Sequence, residues 1–322
     1  MKAVWLATLA LWGCTEAEGG AAATVLDLGA PDFGTPDLGA PDLGAPDLGA
    51  PDLGAPDLGA PDLGPPADPN ACNGAVALCD RPYDAVAYLT AHNAMANAAD
   101  GLRPPNQTPD MPTQLAQGVR ALMLDTYAEE DGLFLCHGDC ALGRTPLVEG
   151  LGQIRTFLDT HPREVVSIIF EAYITGEQTA EAFADAGLLP LLHTQVPGAP
   201  WPTLGELIAA GQRLLVFSDQ RGGPPWHHSV WDFAWETHFH VEAVEDFSCA
   251  PNRGNPSNSL FILNHFLTRP IALQSLAEAA NPTLQAHAET CQAQTGRLPN
   301  FVTVDFFDIA DTGAVVDRLN GL

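Results

Sequence analysis

Val165-Val166-Ser167-Ile168-Ile169-Phe170-Glu171 runs through apolar side chains on both of its faces and stops at a carboxylate. A strand of an open antiparallel sheet alternates apolar with polar residues, whereas one covered on both faces, as in a parallel sheet, does not. Leu214-Leu215-Val216-Phe217 has the same character. Working outward, apolar runs of strand length fall near 86–92, 121–127, 133–137, 165–171, 213–218, 235–240, 260–265 and 300–306. Amphipathic stretches near 112–119, 147–160, 178–192, 203–210, 271–293 and 311–320 separate them. Strands alternating with helices signal repeated βα units. Eight such runs predict an α/β fold, a (β/α)8 barrel of the TIM type with room for distortion; the run at 235–240 is the weakest of them.

Polar and ionisable residues recur at the ends of these runs: His92-Asn93, Asp125, His137, Glu171, Asp219, Asn264-His265 and Asp305. A lone polar residue at a strand end is ordinarily structural. Burying so many is costly unless they share a site, and the C-terminal edge of a barrel is where such sites are built. His227-His228 and His238-x-His240 invite a metal reading, because alternate residues of a strand share a face. In a stretch holding Trp226, Trp231 and Trp235 they are expected instead to pack or to face solvent, and the tryptophans to pack in the core rather than line the barrel mouth or touch lipid.

The first seventy residues cannot join a packed core. Lys2 and an apolar run to Trp12 form a leader too short to cross a bilayer, read here as a signal peptide over 1–14. Leu11-Trp12-Gly13-Cys14 resembles a bacterial lipobox, which predicts acylation of Cys14 and attachment to a membrane; simple secretion is the alternative. Residues 15–71 read as a disordered linker, with a Gly-Ala-Pro-Asp-Leu unit repeating from Gly29 to Leu63. Recurrent Pro removes backbone donors, Gly loosens the chain and Asp keeps it solvated, so a stalk on the order of 100 Å is expected. The barrel is assigned to 72–322.

Setting Cys14 aside leaves Cys72, Cys79, Cys136, Cys140, Cys249 and Cys291. An even number in an exported chain predicts disulfides. Proximity favours Cys72–Cys79 and Cys136–Cys140, which leaves Cys249–Cys291; the short paired spacings of a zinc site are missing. The chain holds 13 Lys and Arg against 40 Asp and Glu, for a net charge of −27. Such a balance repels phosphate backbones and excludes a nucleic-acid partner. A monomer is expected.

Ala91-His92-Asn93, Gly118-Val119-Arg120-Ala121-Leu122-Met123-Leu124-Asp125, Leu135-Cys136-His137, Val165 to Glu171 and Asn300-Phe301-Val302-Thr303-Val304-Asp305 resemble, in order and spacing, the successive motifs of the phospholipase C X domain. The resemblance covers most of 83–308, and the Cys-His-Gly-Asp-Cys and Asn-His-Phe segments are similar to those of small secreted bacterial and fungal members. It implies a phosphoric diester lyase or hydrolase acting on a phosphatidylinositol-like phospholipid. By position, His92 is the general base, His137 the general acid and Asp305 the carboxylate that orients His92. Two imidazoles suit this chemistry because their ordinary pKa lies near neutrality.

The resemblance also implies a calcium ion, since this chain lacks the arginine that replaces it in some members. Asn93, Asp125 and Glu171 match ligand positions and are hard oxygen donors, whereas Met123 stands where a further acidic ligand is common. Arg120 and Arg253 are the nearby cations for phosphate contact, and Asp219, Asn264 and His265 complete the expected substrate pocket. Glu171 and Asp219 occupy strand ends where inositol-phosphate-binding members carry basic residues, which leaves the headgroup open. The rival readings are a phosphodiesterase for a glycerophosphodiester or sphingomyelin headgroup, and a surface binding barrel without turnover.

Overall fold

The computed structural model describes residues 68–269 and 271–322; the leader, Cys14 and the pentapeptide repeats lie outside the described residues. In chain order the elements are β1 (Tyr88–Ala91), α1 (Met111–Ala116), β2 (Ala121–Glu129), β3 (Gly132–Leu135), β4 (Thr145–Pro146), α2 (Leu147–Thr160), β5 (Val166–Ala172), α3 (Gly176–Asp185), α4 (Leu204–Ala209), β6 (Leu214–Ser218), β7 (His227–Ser229), β8 (Ala234–Thr237), β9 (Pro251–Gly254), β10 (Leu260–Asn264), α5 (Gln274–Ala280), α6 (Leu284–Thr295), β11 (Phe301–Val304) and α7 (Thr312–Leu319). No helix among the described residues is long and apolar enough to cross a membrane.

Parallel strands run in the spatial order β7-β6-β5-β2-β1-β11-β10-β8, and β9 adds antiparallel to β8. The sheet curls on itself: Phe217 of β6 and Phe301 of β11 lie far apart along the ladder, yet their rings approach to 6.0 Å across the interior. Inward residues such as Tyr88, Ile169, Phe217, Ile262 and Phe301 share one buried cluster, while Leu122, Leu124, Ile168 and Val216 on the outer face pack against Leu151, Ile154 and Phe183 of the helices. Both faces are covered, which explains the unbroken apolar run at β5. Among the described residues no ladder joins β7 to β8, so the barrel is open there.

Three local expectations need correction. The run at 133–137 is no barrel stave: β2 continues to Glu129 and β3 folds back on it antiparallel, pairing Leu135 with Thr126. The eighth stave is the short β7, whose His-His-Ser sequence carries no apolar signature. The helix expected over 178–192 ends at Asp185, followed by the left-handed Gly187 at φ +68°. The stretch 271–293 divides into α5 and α6 around Pro282, whose missing N–H breaks the ladder.

Disulfides join Cys72 to Cys79, Cys136 to Cys140 and Cys249 to Cys291, the pairing expected from proximity. The middle one closes a short ring around His137 just beyond β3.

Candidate active site

The catalytic candidates meet at the C-terminal ends of the strands. His92 follows β1 and Asp305 follows β11, two strands paired in parallel. The His92 N–H donates to Val304 O at 3.0 Å, and its Nδ1 lies 2.8 Å from Asp305 Oδ1. A carboxylate there fixes the Nδ1–H tautomer and leaves Nε2 as the free basic nitrogen. The imidazole stacks on Phe266, with centroids 3.8 Å apart. Asp305 is buried, while about one fifth of the His92 side chain stays accessible (20%). The chain turns sharply after each strand, with Asn93 at φ +44° and Phe306 at φ +43°. Left-handed non-glycine residues are uncommon and cluster at functional sites.

His137 reaches the same mouth from the β3 hairpin and its disulfide ring. Burial and the neighbouring His92 hold its imidazole below the usual range, with the carboxylates of Asp305 and Glu171 opposing. Its Nδ1 is buried and unpartnered. The free site therefore keeps His137 neutral at pH 7, and an arriving anion would draw a proton onto it.

Beside the histidines, a cavity of about 600 Å³ including its open mouth is lined by His92, Asn93, Asp125, Glu171, Asp219, Glu236, Arg253, Asn264 and Phe266. Asp125 is 5% exposed, and among the described residues its carboxylate makes no ion pair or side-chain hydrogen bond. Burial, then the charges of Glu171 and Asp219, push it well above the ordinary carboxylate range. Asp219 is also raised, mainly by burial, although its Oδ1 accepts from Ala172 N at 2.9 Å. Glu171 accepts a hydrogen bond from the Tyr173 hydroxyl. These carboxylates and the Asn93 amide line one cavity and are hard oxygen donors of the chemical kind a divalent cation takes. Asn93, Asp125 and Glu171, the expected calcium ligands, line this cavity together with Asp219.

Two of the substrate candidates stand elsewhere. Arg120 precedes β2 at the opposite, N-terminal end of the barrel, where it bonds Glu164 at 2.7 Å and the carbonyls of Leu115 and Val119. It ties down a strand start and cannot serve as the phosphate contact. His265 points away from the cavity and is fully buried, with Nε2 donating to Ala280 O at 2.9 Å and Nδ1 2.9 Å from His287 Nδ1. Of the other histidines, His227 and His228 are buried in separate hydrogen bonds to the carbonyls of Gly222 and Val216, whereas His238 and His240 are exposed. Trp235 is a core residue stacked on Phe261; Trp231 lines the cavity.

Sequence reasoning missed Glu236, Asn106 and Phe266. Glu236 on β8 is 3% exposed and holds the Arg253 Nε at 2.5 Å and the Asn264 Nδ2 at 3.1 Å. The Arg253 guanidinium lies over Trp231 and Phe239, at 4.7 and 4.5 Å from their ring centres. Glu236 sits within Trp235-Glu236-Thr237, where a carboxylate inside an apolar strand was the available signal. Asn106 lies in a polar loop and had none.

An open parallel barrel with two histidines, an orienting carboxylate and an oxygen cluster at its C-terminal mouth is the architecture of a phospholipase C type domain. The family model described as PI-PLC X 1 matches residues 78–320, and the chain belongs to that family. A PI-PLC X domain-containing protein of Arabidopsis thaliana is 32% identical over 74% of this chain, which spans 63% of that relative's length. A PI-PLC X domain-containing protein 1 of Arthroderma benhamiae is 28% identical over 78% of this chain and 90% of its own. The phosphatidylinositol-specific phospholipase C of Staphylococcus aureus superposes with a TM-score of 0.56 at 15% identity, over 76% of this chain and 95% of that one, a likeness of fold.

Proposed function

We propose that the barrel is a phosphoric diester lyase or hydrolase that cleaves a phosphatidylinositol-like phospholipid with His92 and His137 as its base and acid. The observation that carries this is the His92–Asp305 pair, 2.8 Å apart, with His92 lining the cavity and His137 near enough to feel the charges of His92, Asp305 and Glu171. Family membership supports phosphodiester chemistry in general. In this reading His92 Nε2 removes the proton of a hydroxyl adjacent to the phosphodiester. The freed oxygen attacks phosphorus as the bond to the lipid alcohol breaks, and His137 protonates the departing oxygen, leaving a cyclic phosphate. Asp305 stabilises the imidazolium formed on His92. Asn93, Asp125, Glu171 and Asp219 would hold a calcium ion, which when bound supplies positive charge for the phosphoryl oxygens and the attacking hydroxyl. Arg253, held in place by Glu236, offers its terminal nitrogens as a phosphate contact.

Three disulfides, and an Arthroderma benhamiae relative described as an uncharacterized secreted protein (26% identical over 78% of this chain), support export. Acylation of Cys14 would then hold the enzyme at the cell envelope near its lipid. Replacing Cys14 by Ser is expected to release the protein from the membrane fraction with activity intact; an unchanged distribution removes the anchor from the proposal. Phosphorus NMR of a lipid digest, with and without chelator, tests the chemistry. A transient cyclic phosphate is expected from inositol lipids. Cleavage confined to glycerophosphodiesters or sphingomyelin moves the assignment to those headgroups, and no cleavage of any phosphodiester leaves a binding barrel.

A further inference from the structure

Asn106 is 1% exposed and pinned by its backbone: its N–H donates to Ala96 O at 2.7 Å and its carbonyl accepts from Phe306 N at 2.7 Å. These bonds fix where its side chain points. Its Nδ2 donates to Asp305 Oδ1 at 2.9 Å, the same oxygen that lies 2.8 Å from His92 Nδ1, and stands 3.4 Å from that nitrogen. The opposite amide orientation would set Oδ1 against the carboxylate, so the network selects this one. The next residue closes the frame, since the Gln107 amide donates to His92 O at 2.8 Å and to Val304 O at 3.0 Å. The loop thus grips the ends of both strands that carry the pair.

We infer that Asn106 is a positioning residue that acts through Asp305: by occupying Oδ1 together with His92 it fixes the rotation of the carboxylate, which holds His92 in the Nδ1–H tautomer with Nε2 toward the cavity. The inference rests on the proposed two-histidine reading for its kinetic consequence, but its structural content stands apart from turnover. A carboxylate with one donor can rotate about its terminal bond, and the tautomer of an imidazole is set by the hydrogen bond its other nitrogen makes.

The test uses the full chain with Asn106→Ala and the near-isosteric Asn106→Leu, which removes the donor while keeping the volume if the alanine variant fails to fold. Nitrogen-15 NMR of the substrate-free protein, with the His92 ring neutral, is expected to show Nδ1–H in the parent and a mixture with Nε2–H in both variants. With phosphatidylinositol as substrate, kcat is expected to fall about tenfold or more with KM near the parent's, and the loss to vanish in an Asp305→Asn background, as for two residues acting through one contact. An unchanged tautomer in both variants, or an equal loss in the Asp305→Asn background, overturns the inference. If the parent turns over no phosphodiester, the functional reading fails while the tautomer measurement still decides the role of Asn106.

Discussion

At the scale of single residues, the proposed mechanism divides two charge states between two imidazoles. His92→Ala and His137→Ala are each expected to lower turnover by about a hundredfold or more, measured by release of a fluorescent leaving group. The two losses should not multiply, because both residues serve one transfer. A substrate with a much better leaving group needs little protonation and should rescue His137→Ala far more than His92→Ala. Because burial and His92 depress the proton affinity of His137, the alkaline limb of kcat/KM assigned to it is expected below pH 6.5, with the corresponding limb of kcat at higher pH once a bound phosphodiester charge restores the proton. The acidic cluster makes a separate prediction. Asp125→Asn removes the most buried carboxylate of the set and should weaken calcium affinity by about tenfold or more in a calorimetric titration, while relieving like-charge repulsion in the free protein. Equal calcium affinity in parent and variant would take Asp125 out of the donor set.

At the scale of elements, the barrel supplies the floor of the site and two antiparallel excursions supply its walls. The β3 hairpin carries His137 over the mouth, and β9 lays Arg253 against Glu236 of β8. The second of these depends on one glycine: Gly254, at φ +77°, pairs with Trp235, and a Cβ there would sit 2.7 Å from Trp235 Cα and closer still to Ala234 O. Strain in the left-handed region and the backbone clash add together. Gly254→Ala is therefore expected to cost roughly 2 kcal/mol or more in urea unfolding and to raise KM by displacing Arg253, with kcat less affected. A variant with parent stability and KM would show that β9 yields without moving the guanidinium.

At the scale of the whole molecule, acid is expected to loosen the fold through its buried histidines. Burial lowers His228 to about 4, His265 to about 3 and His287 to about 4, from 6.5 when exposed. Since the folded values are depressed, their contribution is intact above pH 6.5 and is lost as pH falls through that value toward 4 and 3. Asp125 and Asp219 act in the opposite sense, because protonation at falling pH relieves their repulsion and offsets part of the loss. Thermal melts followed by circular dichroism should show Tm falling by on the order of 10 °C between pH 7 and pH 4. In His265→Gln the fall should be shallower from a lower starting point; an equal slope would assign the acid loss to other groups.

The sequence by itself determined the parallel barrel and the edge on which its polar residues gather. Strands covered on both faces must be continuously apolar, and carboxylates or histidines at their ends are tolerated only where a shared site compensates them. It also determined the disulfide pairing, where cysteines close in the chain leave one remaining choice. Tertiary structure decided what sequence position cannot encode: that β3 folds back instead of joining the barrel, that Arg120 braces the far end, and that His265 turns toward His287. It alone brought Asn106 to Asp305 across 199 residues and Arg253 onto the buried Glu236. The physical reason is range: periodicity and propensity report on a side chain's own turn or strand, whereas a polar contact between distant segments is fixed only when the closing sheet brings their ends within hydrogen-bond reach.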